Sequence, residues 1–138
     1  MKKILLLFIA IAFAVGCSKK EESKPEKVTL TVKLPYYKGA DFSPVYLFYR
    51  TPETEKILNN SNYNFSFTKE AYINEKENIT IKYHDKKTLN NEGIVVFENV
   101  PRDYAQIVFQ FGVLGFKSEV VELLNLKEKT YYDFTKKD

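Results

Sequence analysis

From Val28 onward, apolar residues recur at every second position, and that period confines the chain to β-structure. Val28, Leu30, Val32 and Leu34 share one side of an extended segment while Thr29, Thr31 and Lys33 take the other, the pattern of a half-buried strand. Pro35 ends it, and Tyr36 to Ser43, with Gly39, reads as a loop. Pro44 opens Val45-Tyr46-Leu47-Phe48-Tyr49, which is apolar on both sides. Such a run is either interior to a sheet or keeps one aromatic face for a partner. Tyr63, Phe65 and Phe67 alternate with polar residues, as do Ile79, Ile81 and Tyr83, across a mostly polar connection broken by Ala71-Tyr72-Ile73.

The second half is more regular. Strands are predicted at Gly93 to Phe97 after the Asn90-Asn91-Glu92-Gly93 turn, and at Tyr104 to Phe111 after Pro101-Arg102-Asp103. Phe116 to Leu124 follows a Gly112 to Gly115 reversal, and Thr130 to Phe134 closes the series. Thr51-Pro52-Glu53 offers an N-cap, a first-turn proline and an acid, so residues 52–58 are the one helix expected, and a short one. Seven or eight short strands at even spacing predict a mainly β fold, a single antiparallel β-sandwich over residues 28–138.

The first 27 residues follow a different rule. Lys2 and Lys3 precede twelve continuous apolar residues, Ile4 to Val15, the proportions of a secretory signal. A transmembrane helix needs about 20 apolar residues. Ala14-Val15-Gly16-Cys17 resembles the lipobox of bacterial lipoproteins. That resemblance implies a signal peptide over residues 1–16, cut before Cys17, with lipid acylation of the cysteine. One acyl chain binds membranes reversibly, whereas several hold a protein firmly at about 0.8 kcal/mol per buried CH₂. Cys17 is the only cysteine, so no intramolecular disulfide forms.

Residues 17–27 then form an acylated cysteine and a flexible tether. Ser18 to Lys27 contains no apolar residue, and ten extended residues reach about 30 Å. Ser18, where an aspartate would retain the protein at the inner membrane, resembles the outer-membrane sorting rule. Lys20-Glu21-Glu22 resembles the export signal of surface-displayed lipoproteins, and both surface-exposed and periplasm-facing placements stay open.

Cleavage also changes the charge. The formal charge of +3 includes Lys2 and Lys3, so the mature chain has 19 basic and 18 acidic residues. Near neutrality removes the electrostatic footing for nucleic-acid binding. The remaining 122 residues suit one domain with its own core.

The run Asn91 to Pro101, then Tyr104 and Gly115-Phe116, resembles the end of transthyretin-like β-sandwiches known as carboxypeptidase regulatory-like or CnaB-type domains. Their pattern is an acid-Gly turn, an aromatic strand, Asn-Leu/Val-Pro, a tyrosine strand and Gly-Tyr. The glycine that follows the proline in that pattern is absent, and residues 51–78 have no counterpart. The resemblance implies a stalk, adhesive or accessory module. In some of these domains a lysine and an asparagine form an isopeptide bond, for which Lys33 and Asn99 are the residues present.

No residue set announces catalysis. His84 is the only histidine and sits beside Asp85, whereas zinc sites use three or four convergent ligands. Glu70, Glu75, Glu77, Glu119 and Glu122 stand in no signature context, and a solvated face is expected for them. The N-x-S/T triplets at Asn59, Asn64 and Asn78 imply no glycan. No catalytic residue, metal or cofactor is expected. Tyrosines are the outlier, ten in all. Tyr36, Tyr37, Tyr46 and Tyr49 are the candidate partner-binding residues because tyrosine offers rigid amphipathic area; burial in the core is the competing role.

The expectation is a lipid-anchored, non-enzymatic binding, adhesion or scaffold module of the outer membrane. It touches the membrane through Cys17, a protein or glycan through its surface, and no nucleic acid. The alternative is a periplasm-facing inhibitor or assembly accessory lipoprotein, with a loop such as Tyr36 to Ser43 plugging a partner enzyme.

Overall fold

The computed structural model describes residues 24–35, 41–58, 61–113 and 116–136. Cys17, the segment before it, Tyr36 and Tyr37 lie outside the described residues. Eleven strands run in chain order among them: β1 (Lys27–Lys33), β2 (Asp41–Phe42), β3 (Val45–Tyr49), β4 (Asn64–Ser66), β5 (Ala71–Asn74), β6 (Ile79–Lys82), β7 (Asp85–Lys87), β8 (Ile94–Pro101), β9 (Tyr104–Val113), β10 (Phe116–Asn125) and β11 (Tyr131–Asp133). One helix, α1 (Glu55–Leu58), lies between β3 and β4. The chain is mainly β, as its period of two requires.

The strands form three sheets. Sheet A has the order β11-β1-β8, sheet B the order β10-β9-β3-β7 with β2 beside β9, and sheet C is the meander β4-β5-β6. All pairings are antiparallel except β1 with β11. Sheets A and B make the sandwich. Their facing rows, Leu30, Val32 and Leu34 on one side and Val45, Leu47, Ala105, Ile107 and Phe109 on the other, meet in one buried cluster with Phe97, Leu124 and Leu126. Burying a side chain of this size contributes about 1.5–3 kcal/mol.

Sheet C explains the strand that is apolar on both sides. The second face of β3, Tyr46 and Phe48, joins Val108 of β9 under Phe65, Tyr72 and Ile81 of sheet C. Sheet B is therefore the middle layer, and β3 is interior in both directions. Three strands escape the sequence pattern, β2, β5 and β7. Each is two to four residues long and lacks the apolar–polar alternation that marks the equally short β4 and β6.

Local chemistry sets the irregular points. β8 carries one residue more than β1 between the pairs Val28↔Val100 and Leu30↔Phe97, and Asn99 takes φ 58°. This is a β-bulge whose extra residue uses the left-handed region that asparagine tolerates. At α1, the Thr54 N–H donates to Thr51 Oγ1 at 3.2 Å and the Thr51 N–H donates to Thr54 Oγ1 at 2.8 Å. These reciprocal caps satisfy two backbone donors that the helix start leaves open. The expected helix over 52–58 is a turn followed by one helical turn. No helix among the described residues is long and apolar enough to cross a membrane.

Candidate functional site

The predicted site residues separate under the fold. Tyr46 is 2 % exposed and lies in the core between sheets B and C, so as a partner-binding candidate it is corrected: its ring is covered by Phe65, Phe67 and Tyr83. Its hydroxyl donates to Glu70 Oε1 at 3.0 Å, and Lys86 Nζ holds the same carboxylate at 2.9–3.0 Å. Burial, with the Glu70 bond second, pushes the Tyr46 phenol up to about 12, and the Lys86 ammonium holds Glu70 below the usual carboxylate range. Tyr49 is half-buried, its ring stacked on His84. Tyr36 and Tyr37 lie outside the described residues.

His84 does structural work. Its Nδ1 accepts the Tyr49 backbone N–H at 3.2 Å, and the His84 backbone N–H donates to the Leu47 carbonyl at 2.8 Å. Among the described residues, no group of three or more His, Cys, Asp or Glu converges as metal ligands would. Lys33 pairs opposite Ile94, five residues along β8 from Asn99. That offset is about 16 Å at strand spacing, so the two do not meet. Glu75 and Glu77 are exposed, as expected.

Glu70, held by Tyr46 and Lys86, and Glu122 both depart from the solvated face, Glu122 by pointing into the sandwich. The register partner of Glu122 is Ile107, whose side chain points into the sandwich, so Glu122 points inward too. Ser118, Val120 and Leu124 share that row by the period of two. Glu122 is half-buried, while Val121 and Leu123 on the other side of β10 are 43 % and 56 % exposed. The expected solvated face does not hold for this residue, because inward orientation is dictated by pairing along all ten residues of β10. The sequence signal is a lone acid inside Val120-Val121-Glu122-Leu123-Leu124.

Around that carboxylate the two sandwich sheets leave space. A cavity of about 270 Å³ is lined by Leu34, Pro35, Phe42, Phe109, Phe111, Val120, Glu122 and Phe134. Proline ends β1 on the sheet A side, and Phe134 is tied there by its N–H donating to the Lys33 carbonyl at 2.9 Å. On the sheet B side, β2 places Phe42 opposite Phe111 on β9, with stacked rings 6.1 Å apart. Among the described residues, the core thus ends in a mouth walled by four phenylalanines, with Glu122 the one charged lining residue. Its volume lies near the lower end of ligand pockets, about 300–1,000 Å³.

A second concavity of about 410 Å³ is polar and lies on sheet C, lined by residues that include Asn62, Asn64, Ser66, Lys69, Asn74 and Lys76. Asn74 Oδ1 accepts the N–H groups of Lys76 and Glu77 at 3.1 and 3.2 Å, which locks the β5–β6 turn. No family model, curated protein or solved structure matches this chain.

Proposed function

We propose that this chain is a lipid-anchored cell-envelope protein of the outer membrane acting as a non-enzymatic binding module. Acylation of Cys17 holds it at the membrane, and the tether lets a transthyretin-like sandwich stand clear of the head groups. The observation that carries binding is the phenylalanine-lined cavity between sheets A and B. Ligand sites are concave and mostly apolar, with few polar groups to fix orientation, and this cavity has that composition.

Two measurements test the reading. The wild-type chain partitions with outer membranes, and Cys17→Ser moves it to the soluble fraction; identical fractionation of the two ends the anchoring claim. Saturating 2-phenylethanol, a neutral apolar probe, raises the melting temperature of the wild type but not of Val120→Trp, which fills the cavity. No rise in the wild type ends the binding claim for this site.

A second reading, an assembly accessory lipoprotein, has one observation in its favour. β10 is ten residues long, has only β9 as a sheet neighbour among the described residues, and exposes Val121 and Leu123. A free edge of that length accepts a partner strand through backbone hydrogen bonds. Lysine in place of Val121 and Leu123 blocks such pairing, and an unchanged pull-down profile for that variant removes this reading.

A further inference from the structure

We infer that the cavity between sheets A and B takes a small organic ammonium with an aromatic or aliphatic body, its cationic nitrogen pairing with Glu122. The inference rests on the reading of this cavity as a binding site and adds its ligand class.

Three observations converge on the charge. Of the eight described residues that line it, seven are apolar and four are phenylalanine, so the body of a ligand must be apolar to match them. The eighth is a carboxylate, half-buried among those rings. Glu122 also makes no hydrogen bond or ion pair with another described residue, whereas Glu70 and Asp103 each hold a lysine. A carboxylate half-buried among aromatic side chains is better satisfied when a donor or cation meets it. An ammonium supplies both at once.

The strand pattern adds an independent argument. On β10 the exposed side carries Val121 and Leu123, and the inward side carries Glu122 between Val120 and Leu124. Stability alone favours the reverse, with a leucine turned in and the acid turned out. Local rules broken without a structural gain mark functional positions. The acid stays inside because a ligand charge meets it there.

Size and surroundings narrow the class further. About 270 Å³ suits one ring or a short chain carrying the charge. The four phenylalanines of the lining also suit a cation better than an anion, because they bring no donor for an anion and an aromatic ring can meet a cation with its negatively polarised face within about 6 Å. Carboxylate and rings therefore select the same sign.

The test uses three probes that differ only in the head group: phenethylamine, 2-phenylethanol and phenylacetate, titrated into the acylated chain in lipid nanodiscs by calorimetry at neutral pH. The amine binds at least tenfold more tightly than phenylacetate, a difference of about 1.4 kcal/mol. In Glu122→Gln the amine loses that advantage while 2-phenylethanol binds as before, and this retained binding shows that the variant is folded. In Val120→Trp all three fail to bind. If phenylacetate binds the wild type as tightly as the amine, the ammonium class is wrong and the cavity remains a binding site for neutral apolar molecules. If none of the three binds, both the ligand class and the site it rests on fall.

Discussion

The Tyr49 ring lies face to face on the His84 imidazole, with centroids 3.8 Å apart and planes 23° from parallel. The same histidine accepts the Tyr49 backbone N–H through Nδ1, so one side chain both stacks on β3 and completes a backbone bond at its end. That bond exists only while Nδ1 lacks a proton.

His84 therefore carries a pH dependence of definite sign. Burial lowers its pKa below 6.5, with the Glu53 carboxylate opposing more weakly. A depressed folded value means that the unfolded chain binds the proton more readily, so stability is full above about pH 6.5 and falls as pH drops toward the folded value. As the only histidine, it gives one isolated imidazole resonance. Its titration midpoint lies below 6.5 in the folded chain, and a midpoint at or above 6.5 rejects the burial argument. Acid melting measured on His84→Gln loses the part of the slope that falls just below pH 6.5.

The inner aromatic layer is where truncation costs most. Phe65 is 8 % exposed and its ring lies 4.8–6.0 Å from those of Tyr46, Phe48, Phe67 and Tyr72. Phe65→Ala removes its transfer energy and leaves a cavity, a loss of about 3–5 kcal/mol. Leu123→Ala, at a residue 56 % exposed, changes stability by less than about 0.5 kcal/mol. Urea unfolding of the two variants checks the contrast. Equal midpoints would mean that sheet C does not pack on sheet B as described.

Much of this fold was legible in the alternation of the chain, and the illegible parts have physical causes. β1, β8, β9 and β10 run seven to ten residues, long enough for a period of two to repeat. β5 was hidden because Ala71-Tyr72-Ile73 is a short apolar patch in a polar segment and gains its strand character from β4 and β6 on either side. Tyr46 posed a different difficulty: a strand buried on both faces and a strand with an exposed aromatic face read identically, and only the placement of sheet C separates them. Glu122 was hidden for the opposite reason. Acids are ordinarily solvated, and its inward direction follows from its register with β9, which the sequence does not display.

Alkaline unfolding reports the buried phenols. Tyr46 is pushed up to about 12, and burial raises Tyr72, whose hydroxyl donates to Gln106 Oε1 at 2.9 Å. Both groups hold their protons more tightly folded than unfolded, so their contribution is full below pH 10 and is lost as pH rises toward 12. Phenolate absorbance then rises in two phases. Solvent-exposed phenols ionise near the ordinary tyrosine value with the chain still folded, and the buried ones ionise together with unfolding. A single phase centred on 10 contradicts the burial of Tyr46 and Tyr72.

The bulge at Asn99 makes the last prediction. With φ 58°, the residue occupies a region that costs an ordinary L-residue about 1–2 kcal/mol and that glycine enters freely. Asn99 is exposed, so replacing it changes backbone preference and little packing. Asn99→Gly keeps the stability within a few tenths of a kcal/mol, about the scale on which asparagine and glycine differ at such positions. Asn99→Val, whose branched Cβ opposes positive φ, lowers stability by about 1–2 kcal/mol. Denaturant midpoints distinguish the two variants. Equal midpoints show that residue 99 leaves the left-handed region at no cost, and the extra residue of β8 would then be a pliable loop. A gap of the stated size shows that the bulge is fixed by the pairing of Val28 with Val100 and of Leu30 with Phe97 on either side, so that the sandwich dictates the backbone angle and the asparagine accommodates it.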